Sequence, residues 1–549
     1  MDALLATRRR ARRPRTGHSG GRVLVPVASG APRRRPGGRD GRRGAPGAVD
    51  GARGGRAGRT ARAGRAGTDE GGRGVTPSSR ATLPLAVLTA MLLSAVAALV
   101  QAPYVTGDEA PHVDYAYQVW QGELPVFEDG LEHRPEGAWV APVQWTAQHP
   151  PLYYLLVAPV VGPLAEAGHP VAAVYAARAA NVLLSGVLVL VAHGAARRFC
   201  RPGSTVPLVV AFIVAAMAAK SLVGGSGYND LLAAVFVTAM FGVAATAIRR
   251  GLDAGLVLAL SLLAGGAALT RLSAGVVAVV VAGVAGLAGI VRARQGRGRW
   301  SPVAGLLLGG PALVLATAGW FYARNVELTG TVTGSHFDWS IEHQGRSPKP
   351  LWQVLVEYVT WLRLPNLFWW AGQQPPRTTY VLYTMIVTGL VLVWIPIGIA
   401  MARAVRHRTD GDRQLLVLLV LPVVVLVTMQ VVFASNSGGV YPRYLLPVAL
   451  PLCLAIAAGL GVRPRLLIPV WTAVTLADLG GWVARELTTP PAESWYYTEA
   501  PVPSVLVAVL AGAAVIGTAR LVLATTANRT QVPTATAPAT QVSAPTAAS

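Results

Sequence analysis

A short stretch just after the first long apolar segment, residues 104–122, carries the residue types that acid–base chemistry needs. Four ionisable side chains fall within seven positions, although only 13% of the 549 residues are charged. They are Asp108, Glu109, His112 and Asp114. In a helix, Asp108 and His112 would share a face because they are four residues apart. A carboxylate and an imidazole on one face can transfer protons or bind a metal.

The same stretch also fits a structural interpretation as a capped helix. Asp108 is a suitable N-cap, Pro111 would fall in the first turn where proline is tolerated, and Glu109 would complement the helix dipole. The residue types alone do not decide between these interpretations, and Asp108 can cap a helix and also act in chemistry.

Further polar residues gather near the ends of later apolar segments. They are His149, Asn229, Asp230, Arg271, Arg324, Asn325, Arg443 and Tyr444. Guanidinium groups suit phosphate oxygens because they donate paired hydrogen bonds. Arginines beside a carboxylate base would suit a lipid phosphate that is attacked by an activated acceptor. Structural alternatives exist for each residue, since arginines can snorkel to the interface and Asn229 and Asp230 can cap a helix.

The elements that must position these residues are membrane helices. Hydrophobic residues make up 52% of the chain, and the mean hydropathy is +0.45. The apolar runs are long enough to cross a ~30 Å hydrocarbon core as helices, and they do not alternate as barrel strands do. We therefore expect an all-α polytopic membrane protein with about 12 transmembrane helices. The expected spans are roughly 84–102, 171–196, 204–220, 231–248, 254–270, 274–291, 302–322, 380–402, 414–434, 443–462, 466–483 and 503–522.

Charge at the ends of the spans predicts their orientation. Basic residues follow every second span, from Arg197 and Arg198 after the second to Arg463 and Arg465 after the tenth. The positive-inside rule places these connections and both termini in the cytoplasm, in a multi-pass protein of the cytoplasmic (plasma) membrane. The polar residues named above then converge on the outer face, and this convergence favours a site more than any single residue does.

Two outer loops are expected to be long, 103–170 and 323–379. The first carries the acidic motif and the segment 149–165, which is too short and proline-rich to span and should lie as a helix in the outer interface or re-enter. The second is rich in aromatic residues such as Trp352 and Trp369. These indicate a helix in the headgroup layer or, alternatively, rings that stack on a sugar.

Both ends of the chain have the composition of disordered segments. Residues 1–80 hold 20 of the 48 basic and 5 of the 26 acidic residues, so this tail carries most of the net charge of +22. Nucleic-acid binding would rest on the tail alone, and we expect none. An alternative is that the natural chain starts near Val75 and the tail is a gene-model artefact. Residues 526–549 form a second disordered tail, rich in Thr, Ala and Pro.

Five short motifs along residues 84–522 resemble the GT-C superfamily of membrane glycosyltransferases. This group includes protein O-mannosyltransferases and the aminoarabinose transferases that act on lipid A, and the last motif is most similar to an uncharacterised bacterial branch. The motifs are the pair Asp108-Glu109 followed by His-Pro-Pro-Leu-Tyr-Tyr at 149–154, Asn229-Asp230, Leu-Thr-Arg at 269–271, Trp-Phe-Tyr-Ala-Arg-Asn at 320–325, and Pro-Arg-Tyr-Leu-Leu-Pro at 442–447.

The resemblance implies a helical bundle whose first outer loop carries interfacial helices, and it implies a chemistry. Such enzymes move a sugar from a polyprenyl-phosphate carrier to an acceptor on the outer face, usually with inversion. Asp108 would be the general base, and Glu109 a second acid that orients the acceptor or a metal.

The remaining site residues would bind substrate. Arg324, Arg443 and Arg271 would hold the carrier phosphate, although many relatives carry lysine where Arg271 stands. His112 and His149 would line the site or contact a divalent cation, the one cofactor that the resemblance allows. Asn229, Asp230, Asn325 and Tyr444 would complete the substrate-binding set.

The leading hypothesis is a glycosyltransferase whose acceptor is an envelope glycan, lipid or protein. Two other functional classes are alternatives to it. A transporter or flippase of lipid-linked saccharides would show internal repeats and charged residues in the middle of the bundle, and neither is evident. A non-catalytic membrane protein of envelope assembly would need no reactive cluster. The sugar, the acceptor, the metal dependence and the oligomeric state stay open at this point.

Overall fold

The computed structural model describes residues 78–104, 108–136, 138, 140–369, 386–406, 410–488 and 504–527. The chain separates into residues 1–73 and residues 74–549, and every described residue belongs to the second unit. The predictions for nearly all of the basic tail and of the C-terminal tail therefore lie outside the described residues, as does the end of the second outer loop.

The described residues form helices and contain no strand, as the all-α prediction requires. The first half of the chain holds α1 (Ser78–Val100), α2 (Glu109–Trp120), α3 (Leu152–Glu166), α4 (Pro170–Phe199), α5 (Val206–Ala216), α6 (Ala218–Gly224), α7 (Asp230–Arg250), α8 (Ala254–Ala268) and α9 (Leu272–Arg294). The second half holds α10 (Trp300–Thr329), α11 (Phe337–Gln344), α12 (Leu351–Val356), α13 (Tyr358–Arg363), α14 (Ile386–Arg403), α15 (Asp410–Ser435), α16 (Ala449–Leu460), α17 (Pro464–Thr488) and α18 (Ser504–Ala527). A 3-10 segment, Pro442–Val448, leads directly into α16.

Eight helices in the described part of the chain are long and apolar enough to cross a membrane, so this is a polytopic membrane protein. They are α1, α4, α7, α9, α10, α14, α15 and the segment Pro442–Leu460 that contains α16. Helices α5 and α6 are bent by 54° at a short break and would make a ninth if they form one span. The total of 12 is not confirmed: α8 has only 15 residues, and α17 and α18 are not among the eight helices that qualify in the described part of the chain.

The first outer loop contains two helices that pack along each other, α2 and α3. Helix α3 corresponds to the segment 149–165, for which an interfacial helix was expected. It has 15 residues, contains Pro159 and Pro163, and packs against α4. Helix α2 carries the acidic motif and begins at Glu109, so Asp108 occupies the N-cap position without making a side-chain cap hydrogen bond.

Small residues let the helices approach closely around the core. A side chain at Gly242 in α7 would lie 3.0 Å from the backbone of Ala195 in α4, and one at Gly275 in α9 would lie 3.0 Å from Ala268 in α8. Membrane helices associate through such small-residue contacts because lipid supplies no hydrophobic driving force between them. The second of these contacts lies beside the turn between α8 and α9, which carries the predicted site residue Arg271.

Candidate functional site

A cavity of about 710 Å³ is bordered by the start of α2, the turns before α7 and α9, and the Pro442–Val448 segment. Seven of the eleven predicted site residues line it. They are Asp108, His112, His149, Asp230, Arg271, Arg443 and Tyr444. Residues separated by more than 300 positions in the sequence therefore share one space, as the predicted convergence requires.

Asp108 and Arg443, which both line this cavity, form an ion pair. The Asp108 carboxylate accepts a hydrogen bond from Nη2 of Arg443, and its side chain keeps 34% of its surface exposed. The Arg443 guanidinium lies 4.7 Å from the ring centroid of Tyr228 and 5.5 Å from that of Tyr444. Its Nε is buried and has no hydrogen-bond partner among the described residues, so this cation has a donor to offer to an anion.

Arg271 supplies a second guanidinium group. Its Nη1 donates to Asp230 Oδ1 at 2.7 Å and to Asn229 Oδ1 at 3.2 Å, and the group lies 4.8 Å from the Tyr444 ring centroid. Asn229 does not line the cavity but donates to the Thr270 carbonyl at 3.0 Å, which fixes the turn that carries Arg271. Because Arg271 and Arg443 contact the same ring, the two guanidinium groups lie close together.

His112 and His149 form a neutral, buried pair beside these cations. Their ring centroids are 6.0 Å apart, and His112 Nδ1 is 2.8 Å from the Tyr154 hydroxyl. Burial lowers the pKa of both histidines well below its usual value, and the charges of Arg443 and Arg271 lower it further. Neutral imidazoles can accept protons or ligate a metal. Within the described ranges, no three His, Cys, Asp or Glu side chains converge as a metal site.

The histidine pair should make the protein sensitive to acid. A histidine whose folded pKa is depressed stabilises the fold above its unfolded pKa and loses that contribution as the pH falls below it. We expect the free energy of unfolding to fall by about 1.4 kcal/mol per histidine per pH unit below about 6.5. Thermal unfolding between pH 7.5 and 5 should show a smaller loss in a His112→Asn/His149→Asn variant than in the wild type. An equal loss in both proteins would contradict this assignment.

Glu109, for which the resemblance implies a catalytic role, lies outside the cavity. Its fully buried carboxylate accepts hydrogen bonds from Arg178 Nε at 2.8 Å and Nη2 at 2.6 Å, and from the backbone N–H groups of Tyr104 and Gly227 at 3.0 and 3.2 Å. Four donors saturate a carboxylate. We therefore infer that Glu109 holds the start of α2 in place and does not touch substrate.

Arg178 completes this buried ion pair and was not among the predicted site residues. Its Nη1 donates to the carbonyls of Ala98 and Gln101, and its Nη2 to that of Ala102, so it joins α4 to the end of α1 and to α2. Because Arg178 and Asn181 lie inside the second expected span, the sequence predicted that they satisfy each other or groups on neighbouring helices, and the partner of Arg178 is Glu109 of α2. The identity of that partner depends on packing.

Removing only the arginine of the Arg178–Glu109 ion pair should destabilise the protein strongly. Arg178→Met would leave the Glu109 carboxylate buried without its counter-charge, which costs about 3–5 kcal/mol. Thermal unfolding in detergent should show a large drop in melting temperature for this variant. The double variant Glu109→Gln/Arg178→Met removes both charges and should recover most of the loss. No recovery in the double variant would mean that the two side chains act independently.

Arg324 and Asn325 also lie outside the cavity and tie the two outer loops together. The Arg324 guanidinium donates to the Pro125 carbonyl at 2.8 Å, and the Asn325 amide donates to the Gln148 carbonyl at 3.3 Å. Asn325 is buried and Arg324 is partly buried. The structure thus brings Arg271 and Arg443 together but gives Arg324 a different set of contacts.

The other end of the cavity is lined by aromatic residues that the sequence analysis did not single out. The rings of Phe127 and His336 stack with centroids 3.6 Å apart, and Trp145 and Trp339 meet edge to face at 6.3 Å. The pairs join the two outer loops across about 200 residues of sequence. Aromatic composition of both loops was the available signal, but it did not indicate which rings would meet.

Asp114, the fourth ionisable group of the acidic stretch, organises the first outer loop. It accepts hydrogen bonds from the Gln118 and Gln144 side-chain amides and from the backbone N–H groups of Glu132 and His133. Burial raises the pKa of its carboxyl to about 6, against the effect of these hydrogen bonds. It does not line the cavity, so its contribution is to hold the loop that carries the aromatic residues.

No protein-family model and no curated protein matches this chain. Among solved structures, ArnT from Cupriavidus metallidurans bound to undecaprenyl phosphate is similar at a TM-score of 0.46 and 16% identity, over 82% of this chain and 77% of its own. The archaeal oligosaccharyltransferase AglB from Archaeoglobus fulgidus, in complex with an inhibitory peptide and a dolichol-phosphate, is similar at 0.38 and 12%, over 82% and 55%. The structures to which this chain is similar are members of the GT-C superfamily, the group that its motifs resemble.

Proposed function

We propose that this protein is a membrane glycosyltransferase. It moves a sugar from a polyprenyl-phosphate carrier to an envelope acceptor at the outer face of the cytoplasmic membrane. The observation that carries the proposal is the grouping of one partly exposed carboxylate, Asp108, with two guanidinium groups in a single cavity. A base and a phosphate-binding pair are the two requirements for glycosyl transfer from a lipid phosphate.

The carrier phosphate binds to Arg443 and Arg271. Arg443 has an unused Nε donor, and both groups are held against the Tyr444 ring, which limits their motion. Fixed guanidinium forks stabilise the charge that develops on a departing phosphate oxygen. The carrier class follows from these arginines in a membrane setting, together with the motifs that resemble polyprenyl-phosphate-dependent enzymes.

Binding of that phosphate also frees the base. In the structure the Asp108 carboxylate is the partner of Arg443. When the carrier phosphate takes this place, Asp108 is released to accept a proton from the acceptor hydroxyl. The carrier phosphate and the Asp108 carboxylate thus compete for the Arg443 guanidinium, so binding of the sugar donor activates the base.

The transfer step then balances without another reactant. The acceptor oxygen forms a bond to the anomeric carbon, while the bond from that carbon to the phosphate oxygen breaks. The proton of the acceptor passes to Asp108, and the polyprenyl phosphate leaves as an anion held by Arg443 and Arg271. Attack from the face opposite the phosphate inverts the anomeric configuration.

The aromatic end of the cavity would hold the sugar or the acceptor. Trp145, Trp339 and Phe127 line this part of the cavity together with polar groups such as Gln148 and His336. Flat rings with nearby hydrogen-bonding groups suit a saccharide, which has apolar C–H faces and hydroxyl edges. The orientation with both termini in the cytoplasm places this cavity outside and remains part of the proposal.

A reconstitution experiment tests the function. Purified protein in liposomes that contain extracted lipid-linked sugars should form a covalent sugar–acceptor product, which mass spectrometry detects. A deletion strain should accumulate the lipid-linked sugar and lose the matching envelope glycan. Movement of labelled lipid across the bilayer without any covalent product would instead indicate a flippase.

A further inference from the structure

A second cavity of about 380 Å³ lies beside the first. It is bordered by the segment before α12, by Glu357 between α12 and α13, by α13 itself, and by the end of α15 and the turn that follows it. Arg346, Ser437 and Gly438 line both cavities and therefore form the wall between them. Nothing in the transfer mechanism above uses this second space.

The second cavity carries an excess of positive charge. Arg346, Lys349 and Arg363 line it, together with one acidic side chain, Glu357. Lys349 is paired with Glu357 at 2.9 Å, whereas Arg346 and Arg363 have no carboxylate partner in the described part of the chain. Arg346 is aimed at the wall, since its Nη1 lies 3.4 Å from the Ser437 carbonyl oxygen. Two uncompensated guanidinium groups in one cavity favour an anion.

Ser437 gives a second, independent indication of a ligand. It is only 4% exposed, and its hydroxyl has no hydrogen-bond partner among the described residues. Its backbone has φ of 71°, a conformation that is uncommon outside glycine. Buried hydroxyls are nearly always hydrogen-bonded, and strained residues cluster where a ligand is held.

The turn around Ser437 has little room to rearrange. A side chain at Gly438 would lie 2.3 Å from the Phe433 ring, and one at Gly439 would lie 2.4 Å from the Tyr441 ring. The close contacts restrain the backbone of the turn and so keep Ser437 at the cavity wall.

The helices on either side of Glu357, which lines the cavity, form an apolar rim beside it. Helices α12 and α13 expose Trp352, Val356 and Tyr358 by 66%, 70% and 62%. Exposed tryptophan and tyrosine on short helices are typical of the headgroup layer of a membrane. A ligand for this place must combine an anionic head with an apolar body.

We propose that the second cavity binds the phosphate headgroup of an anionic bilayer lipid, held by Arg346, Arg363 and the Ser437 hydroxyl. The acyl chains then lie against the apolar rim of α12 and α13. Because Arg346 and Ser437 also border the first cavity, the bound lipid stabilises one wall of that cavity. The site goes beyond glycosyl transfer and does not depend on it.

Native mass spectrometry of the full-length protein tests this site with dioleoylphosphatidylglycerol as the probe and dioleoylphosphatidylcholine as the neutral comparison. Arg363→Gln should weaken binding of phosphatidylglycerol about fivefold, as expected for one basic residue near a lipid phosphate. Adding Ser437→Ala to Arg363→Gln should weaken the binding of phosphatidylglycerol further. Arg299→Gln, an exposed arginine that lines neither cavity, is the matched control and should bind as the wild type does.

Each other outcome overturns the proposal. Unchanged binding of phosphatidylglycerol in the Arg363→Gln/Ser437→Ala variant would exclude the site. Equal affinity for phosphatidylcholine would show that the rim alone binds lipid. Complete displacement of the lipid by inorganic phosphate would identify a free-anion site. If the double variant lost binding of polyprenyl phosphate and kept binding of phosphatidylglycerol, the cavity would be assigned to the sugar donor. Transfer activity is not the readout, so failure here and failure of the proposed function are separable.

Discussion

Asp108→Asn should lower the rate of sugar transfer by about 10²–10⁴-fold, the usual contribution of a positioned general base. Asparagine keeps the shape of the side chain but cannot accept the proton of the acceptor hydroxyl. The fold should survive, because Asp108 makes no side-chain cap hydrogen bond to α2 and is partly exposed. Binding of the carrier phosphate should be retained or strengthened, since Arg443 then loses its competing anion.

The measurement is single-turnover transfer with saturating donor, together with the melting temperature of each variant. Asp129→Asn is the matched control, because it removes an exposed carboxylate from the first outer loop without touching the cavity. Full transfer activity in Asp108→Asn would show that another group is the base. His149, which lines the same cavity in a neutral form, would then be the next candidate.

The helix period explains why the adjacent acids have different environments. Successive residues of a helix point about 100° apart, so Asp108 and Glu109 cannot both face the cavity once α2 packs against α4. The sequence predicted that the pair is important, and position in the helix determines which member meets the solvent. Glu109 turns inward to Arg178, whereas Asp108 faces Arg443.

The prediction that the polar residues gather on one side of the bundle was the most informative inference from the sequence. Charge bias placed Asp108, Arg271 and Arg443 on one side, and the structure brings these three to one cavity. Lateral contacts could not be derived in the same way. Arg324 was expected to join the other arginines, but its direction depends on how the first outer loop folds back to offer the Pro125 carbonyl. The contact between Trp145 and Trp339 likewise depends on how the two loops fold, and the sequences of these loops show no periodic pattern that would predict it.

Arg443→Gln should be the most damaging change to carrier binding. It removes a guanidinium fork from the developing charge on the leaving phosphate, and loss of one such donor costs about 10²–10³-fold in rate. It also leaves Asp108 without its counter-charge. Arg271 keeps its own pairing with Asp230, so the second cation should remain in place and preserve weak binding.

Arg443→Lys separates charge from geometry. Lysine keeps the positive charge but offers a point charge in place of the planar fork that lies on Tyr228 and Tyr444. We expect it to retain binding of undecaprenyl phosphate within about tenfold of the wild type and still to lose most transfer, because transition-state stabilisation depends on fixed donors. Equal loss of binding and transfer in the lysine variant would show that Arg443 serves affinity alone. Unchanged binding and transfer in Arg443→Gln would place the carrier phosphate elsewhere, and Arg271→Gln would then be the variant that loses it.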